Sequence, residues 1–335
     1  MNDALRLVIR RLILGDSMAI RRVRDTIAQV AATRIAVLIE GPTGAGKELV
    51  AQALHMASGR SGKLVAVNIC AIPDSMFEDT LFGHVRGAFT GAVNDNGGLI
   101  AEADHGTLFL DEISGLPLSL QAKLLRVVET RQFRAVGGRS DLASDFRVVS
   151  ATNESIAGLE EERRFRSDLR HRLARLTIRV PSLSERAEDV PLLVDYFLRV
   201  DHGGALRVTP SALLTLQEYH WPGNVRELKS IVECAVALSD TGDIDCALVR
   251  SLLDSGRTGS SAVGHANGAL LQALAETEWD VDAAARLLGV HRSTIYRRLR
   301  KLESVGHNAA MAACARSVAV YPPPEAACEG ERLVI

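Results

Sequence analysis

RIAVLIEGPTGAGKELVAQALHMA, residues 34–57, sets three signals in a fixed order. The apolar run ending at Ile39 predicts a buried strand, the glycines 41, 44 and 46 predict a loop, and the stretch from Lys47 predicts a helix. A glycine loop between a strand and a helix is the setting in which a phosphate-binding P-loop is credible. Its glycines let backbone N–H groups close around phosphates, the helix N-terminus adds positive potential, and Lys47 brings a point charge to the β and γ phosphates. Gly41, Pro42, Thr43, Gly44, Ala45, Gly46, Lys47 and Glu48 are therefore candidate ATP-binding residues. Glu48 stands where Ser or Thr is usual, so Mg²⁺ must rely more on phosphate oxygens, water and another carboxylate.

That carboxylate is found downstream. GTLFLDE ends an apolar run with Asp111, placed to organise Mg²⁺, and Glu112, placed to polarise an attacking water. An acidic pair after a strand is weak by itself and gains its meaning from the P-loop upstream. SATN closes another apolar run, and Thr152 or Asn153 could orient water or sense the γ phosphate.

The runs KLVAVNI, GTLFLDEI, FRVVSATN and LTIRV, separated by helical stretches such as LSLQAKLLRVVET, predict an α/β fold with a mainly parallel, helix-covered sheet. Asp16 or Ser17 is positioned to cap a helix over MAIRRVRDTIAQVA. After Pro181 strand signals stop and a helical subdomain is expected. The predicted organisation is a short N-terminal extension over 1–14, an ATPase core over 15–182 and a helical lid over 183–254. A linker over 255–268, a helix-turn-helix over 269–305 and a disordered tail over 306–335 complete it.

Composition sets limits on partners. The formal net charge of −2 means that affinity for nucleic acid must come from a local basic patch. Five cysteines, at 70, 234, 246, 314 and 328, form no CxxC pair and fit neither a disulfide framework nor a zinc site, which points to the reducing cytoplasm. No apolar run is long enough to cross a bilayer, so no membrane association is expected.

LFGHVRGAFTGAVND, residues 81–95, places Phe89 among small residues that build neither a core nor a helix. With the P-loop and the acidic pair, this segment makes the chain resemble the AAA+ ATPases, and among them the sigma-54-dependent bacterial transcription activators. The resemblance covers residues 14–306. It implies that Gly87, Ala88, Phe89, Thr90, Gly91 and Ala92 form the tip of a surface loop that contacts the sigma factor, with glycines supplying a permissive backbone. It further implies that Asn68 is a switch residue holding Glu112 until nucleotide is in place. Arg166 and Arg172 would be arginine fingers reaching a neighbouring subunit's nucleotide, which requires a ring, a hexamer by analogy. Arg226, in WPGNVREL, would be the sensor coupling the γ phosphate to the lid, and RAVGG, residues 134–138, a second surface loop moving with the first.

The sequence departs from the family at several points. Pro42 and Thr43 replace a common Glu-Ser, Ala45 replaces a frequent Thr, and PSLSERAED lacks the Arg commonly found before its ER. The glycines, Lys47 and Asn68 keep their register, so ATP use is expected to survive. Members often carry an N-terminal receiver or sensor domain, whereas only about fifteen residues precede the match here. Control by expression level or by a separate regulatory protein acting in trans is the corresponding expectation.

VDAAARLLGVHRSTIYRRLRKL carries small and apolar residues on a first helix, Gly289 at a turn, and a second helix from His291 dense in arginine. This pattern predicts a recognition helix for double-stranded enhancer-type DNA and resembles the Fis-type helix-turn-helix. His291, Arg292, Ser293, Thr294, Tyr296, Arg297 and Arg298 are the candidate contacts. The resulting expectation is an activator that binds upstream DNA and uses ATP hydrolysis in a ring to remodel sigma-54 RNA polymerase holoenzyme. Two other functions fit parts of the pattern: a regulator in which nucleotide only sets oligomeric state, against which the intact GAFTGA loop argues, and an AAA+ remodeller of a different client, for which the helix-turn-helix is an unexplained extra.

Overall fold

A computed structural model describes residues 3–202, 206–239, 243–257, 273–274, 277, 280–287 and 295. The chain divides into two compact units, Met1–Arg250 and Ser251–Ile335.

In the first unit five strands, β1 (Val37–Glu40), β2 (Leu64–Asn68), β3 (Thr107–Asp111), β6 (Arg147–Thr152) and β7 (Leu176–Arg179), form a sheet of order β2-β3-β6-β1-β7. Every pairing in it is parallel. Apolar residues fill both faces because helices cover both, as a sheet of crossover units requires. On β3 the alternation is visible: Leu108 and Leu110 enter one core while Phe109 enters the other. One face is covered by α1 (Asp3–Leu12), α2 (Met18–Val30) and α3 (Lys47–Ser58). The other carries α4 (Phe77–Phe82), α5 (Gly98–Glu102), α6 (Leu118–Thr130), α7 (Ile156–Glu161) and α8 (Ser167–Leu173). Ser17 caps α2, its hydroxyl accepting from the Ile20 N–H at 3.3 Å.

Four features differ from the sequence expectation. The segment read as a short extension is a helix, α1, packed on α3, with Ile9 and Ile13 in the core and Leu5 and Leu12 against it. That spacing is helical, but Arg6, Arg10 and Arg11 interrupt the apolar run and hide it from a linear reading. A small hairpin, β4 (Gln132–Phe133) with β5 (Leu142–Ala143), is inserted before β6. Past Pro181, among α9 (Val190–His202), α10 (Pro210–Glu218), α11 (Asn224–Leu238) and α12 (Cys246–Arg257), a two-residue parallel pair of β8 (Arg207–Val208) and β9 (Asp243–Ile244) appears where no strand was expected. α12 also runs into the first residues of the expected linker.

In the second unit the described residues include a helix over Val281–Leu287, with Ala284, Ala285 and Ile295 buried. The candidate DNA contacts His291, Arg292, Ser293, Thr294, Tyr296, Arg297 and Arg298, most of the expected linker and the tail over 306–335 lie outside the described residues.

Candidate functional site

The sheet order brings β1, β6 and β3 side by side, so the residues after each strand meet at one carboxyl edge, where open parallel sheets bind ligands. β1 runs into the P-loop, β3 ends at Asp111 and β6 at Thr152. The Gly41 N–H donates to Thr152 O at 3.2 Å, and Asn153 Nδ2 donates to Thr43 Oγ1 at 3.2 Å. Lys47 is buried; its Nζ donates to Gly41 O at 3.0 Å and stands 3.7 Å from Glu112 Oε1. Glu112 has φ of 52°, a left-handed conformation unusual for a residue with a side chain and typical of strain kept at a site. Glu48 points to solvent and accepts from Gln52 Nε2 at 3.4 Å.

Asp111 and Glu112 are partly exposed, and Asp111 Oδ1 accepts the Glu112 N–H at 3.1 Å, leaving its second oxygen without a hydrogen bond among the described residues. Hard oxygen donors beside a phosphate loop fit Mg²⁺ held mainly through phosphate and water; the described residues contain no cluster of three or more His, Cys, Asp or Glu that could hold a metal without them. Asn68 ends β2 in register with Asp111 and is exposed. Among the described residues no hydrogen bond joins Asn68 to Glu112, whose carboxylate meets Lys47 instead.

Arg226 lies on α11, with its backbone N–H donating to Gly44 O at 3.3 Å and its side chain exposed. Arg166 and Arg172 sit on or beside α8, away from bonds to the P-loop. Arg166 is paired with Asp168 at 2.8 Å, and that hydrogen bond holds the Asp168 carboxyl below its usual range. Cys70, exposed near this edge, has its thiol pushed up first by desolvation and then by the charges of Glu112, Asp111 and Glu154.

The glycine loop stands out on the surface. Phe89 is 45% exposed and Thr90 and Gly91 are exposed, whereas Phe82, on α4, is buried. The stem is closed by a reciprocal backbone pair between His84 and Asn96, both at 2.9 Å, and the tip by the Gly87 N–H donating to Ala92 O at 2.9 Å. The RAVGG segment is tied to it: the Val85 N–H donates to Val136 O at 3.1 Å, and the Val136 N–H to Gly83 O at 2.8 Å. Gly83 has φ of 74°, and a Cβ there would lie 2.0 Å from Asn96 O, so only glycine fits the base of the stem.

Some residues at the site were not singled out from sequence. His84 pairs with Asp79 and sets its ring edge-on to Phe89, with centroids 5.0 Å apart. Buried Arg186 donates to Ala45 O at 2.9 Å, and buried Asn224 donates through Nδ2 to Thr43 O at 3.0 Å. The neighbouring letters ER and GN were legible, but nothing in them signals burial against the P-loop.

Residues 13–179 match the sigma-54 interaction domain, 184–265 the AAA+ ATPase lid domain, and 268–302 the bacterial regulatory protein, Fis family. The response regulator protein PilR of Pseudomonas aeruginosa is 39% identical over 311 residues, covering 87% of this chain and 69% of PilR. The chain belongs to the sigma-54-dependent transcriptional regulators. The transcriptional regulator VasH of Vibrio cholerae is 45% identical over 239 residues, covering 70% of this chain and 45% of VasH. The chain spans about half the length of the first curated relatives it matches. The crystal structure of NtrX from Brucella abortus in complex with ATP superposes with a TM-score of 0.65 at 33% identity, covering 86% of this chain and 68% of NtrX. The AAA+ core and helical lid are thus those of the family. No described helix is long and apolar enough to cross a membrane.

Proposed function

We propose that this chain is a sigma-54-dependent transcription activator of the cytoplasm that binds enhancer-type DNA and uses ATP hydrolysis in a hexameric ring to open promoters. The observation that carries the reading is the exposed Phe89–Thr90 tip on a stem that leads back to the hydrolytic edge. The turn Ile113–Gly115, directly after Glu112, packs against the turn Ile69–Ala71, which precedes α4 and the loop. The fit there is close, since a Cβ on Gly115 would lie 2.5 Å from Cys70 Sγ. A change at Glu112 on nucleotide binding has a short packed route to the tip.

In this reading the P-loop N–H groups and Lys47 bind the phosphates, and Glu112 aligns and deprotonates the attacking water. Asp111 would hold Mg²⁺ mainly through water and phosphate oxygens; when bound, the ion neutralises charge on the phosphates. Thr152 or Asn153 orients water or senses the γ phosphate, Arg226 couples it to the lid, and Lys47 takes the place of Asn68 as the group that holds Glu112 until phosphate arrives. Arg166 and Arg172 offset developing charge in the next subunit's site. The C-terminal module from His291 to Arg298 binds DNA, and a regulatory protein acting in trans could set when the ring assembles.

The test is binding of purified protein to sigma-54 holoenzyme with ADP and aluminium fluoride, a mimic of the hydrolytic transition state. Complex formation that requires the mimic and is lost in Phe89→Ala supports the reading. Robust ATPase activity without any such complex contradicts it.

A further inference from the structure

Three consecutive carbonyl oxygens of the P-loop are each held by a group from the lid side of the fold. Asn224 Nδ2 donates to Thr43 O at 3.0 Å, the Arg226 backbone N–H to Gly44 O at 3.3 Å, and Arg186 Nη2 to Ala45 O at 2.9 Å. Asn224 is itself anchored, because its Oδ1 accepts the Leu183 N–H at 2.8 Å. The approach is close: a Cβ on Gly44 would lie 2.3 Å from Gly223 O and 3.1 Å from Arg226 Cβ. Arg186 and Asn224 are 3% and 2% exposed, so both bonds are sheltered from competing water.

In a planar trans peptide the C=O and the following N–H point in opposite directions. Fixing the carbonyls of Thr43, Gly44 and Ala45 outward therefore fixes the directions of the N–H groups of Gly44, Ala45 and Gly46. Those are the donors with which a P-loop cradles phosphate. Arg186 is held in turn: it lies on the turn that also carries Asp189, a buried carboxylate accepting from the Asp16 N–H at 2.6 Å, the Ser17 N–H at 2.8 Å and the Ser17 hydroxyl at 2.6 Å. The same turn thereby ties the start of α2 to the loop.

We propose that Asn224 and Arg186 are positioning residues that preorganise the P-loop for phosphate through its carbonyls, so that lid docking and nucleotide affinity are one equilibrium. The proposal deepens the ATPase reading and relies on it only for the affinity readout. Lid displacement releases the carbonyls and lets the peptide planes turn, and phosphate binding pulls the lid back by the same linkage.

The experiment is amide exchange by NMR on the nucleotide-free full chain, together with ADP affinity, for Asn224→Gly, Asn224→Asp and Arg186→Lys. Asn224 has φ of 54°, which glycine adopts freely, so Asn224→Gly removes the carboxamide without backbone strain. Asn224→Asp keeps an acceptor for the Leu183 N–H but loses the donor to Thr43 O. The reporters are the Ala45 N–H, bonded to Pro42 O at 3.2 Å, and the Arg226 N–H. Both Asn224 variants are expected to exchange about tenfold faster at these amides and to bind ADP about tenfold more weakly. Arg186→Lys, which can still reach one carbonyl, is expected to fall between. Wild-type exchange at both amides with unchanged ADP affinity in the two Asn224 variants overturns the proposal, whatever happens to Tm. If the wild type binds no ADP, the ATPase reading fails, while the exchange rates still decide whether the lid orders the loop.

Discussion

Lys47 Nζ lies 3.7 Å from Glu112 Oε1, with the lysine side chain 6% and the glutamate 20% exposed. In the proposed reading the cation that binds phosphate and the carboxylate that activates water are each other's partner. On that reading phosphate competes with Glu112 for Lys47, and its binding frees Glu112 for water. Glu112→Gln is therefore expected to lower hydrolysis by about 10²–10⁴-fold while ATP binds at least as tightly as to wild type. Lys47→Ala should instead lose nucleotide binding. Equilibrium binding of a slowly hydrolysed ATP analogue beside steady-state turnover separates the two outcomes.

Among the described residues, Arg166 and Arg172 make no bond to the P-loop of their own chain. If they act on the neighbouring subunit, Arg166→Ala and Arg172→Ala protein is inactive alone, and so is Glu112→Gln protein. A mixture builds some interfaces with an intact Glu112 on one side and intact arginines on the other. Its ATPase rate should exceed the sum of the two separate rates, and a mixture showing only that sum would place the arginines elsewhere.

His84 sits under Phe89 and is fixed by Asp79. Removing the ring leaves Phe89 without its edge contact while the backbone pair with Asn96 remains. His84→Ala should speed proteolytic cleavage within residues 87–92 several-fold, on the order of 1 kcal/mol of lost loop order. ATP turnover should stay close to wild type. Limited proteolysis followed by mass spectrometry reads this directly.

His55 has its pKa lowered from 6.5, first by burial and second by the charge of Arg60, and its Nδ1 lies 3.0 Å from Thr107 Oγ1. Its folded pKa lies below its unfolded value, so the unfolded state takes the proton more readily. The contribution is present above about pH 6.5 and is lost as pH falls through the folded pKa. Urea unfolding from pH 7.5 to 5 should show a stability loss whose slope is smaller in His55→Gln.

How much of this was legible in the sequence depended on whether the signal was periodic or contextual. The strands ending at Glu40 and Asp111 were visible because apolar runs met acidic residues or glycine, that ending at Thr152 from a shorter apolar run closing in SATN, and α6 from its helical spacing. α1 was hidden by arginines on its exposed side. The β4–β5 and β8–β9 pairs, two residues per strand, are too short to leave a pattern. The P-loop and the glycine loop were legible because each needs particular residues at fixed spacing. Arg186 and Asn224 were not recognised as loop holders because burial of a polar side chain is set by tertiary packing, not by its neighbours in sequence. The pairing of Glu112 with Lys47 instead of Asn68 is likewise a property of distance alone.

ATP-dependent open-complex formation on a sigma-54 promoter reads out whether ATP hydrolysis drives the exposed loop against sigma-54 holoenzyme. Wild-type protein, Thr90→Ala and Glu112→Ala should be compared in parallel with their ATPase rates. Open complexes are expected with wild type only, with Thr90→Ala hydrolysing ATP normally and Glu112→Ala not hydrolysing it. Open complexes formed by Thr90→Ala at the wild-type rate, or by Glu112→Ala without hydrolysis, would contradict that drive.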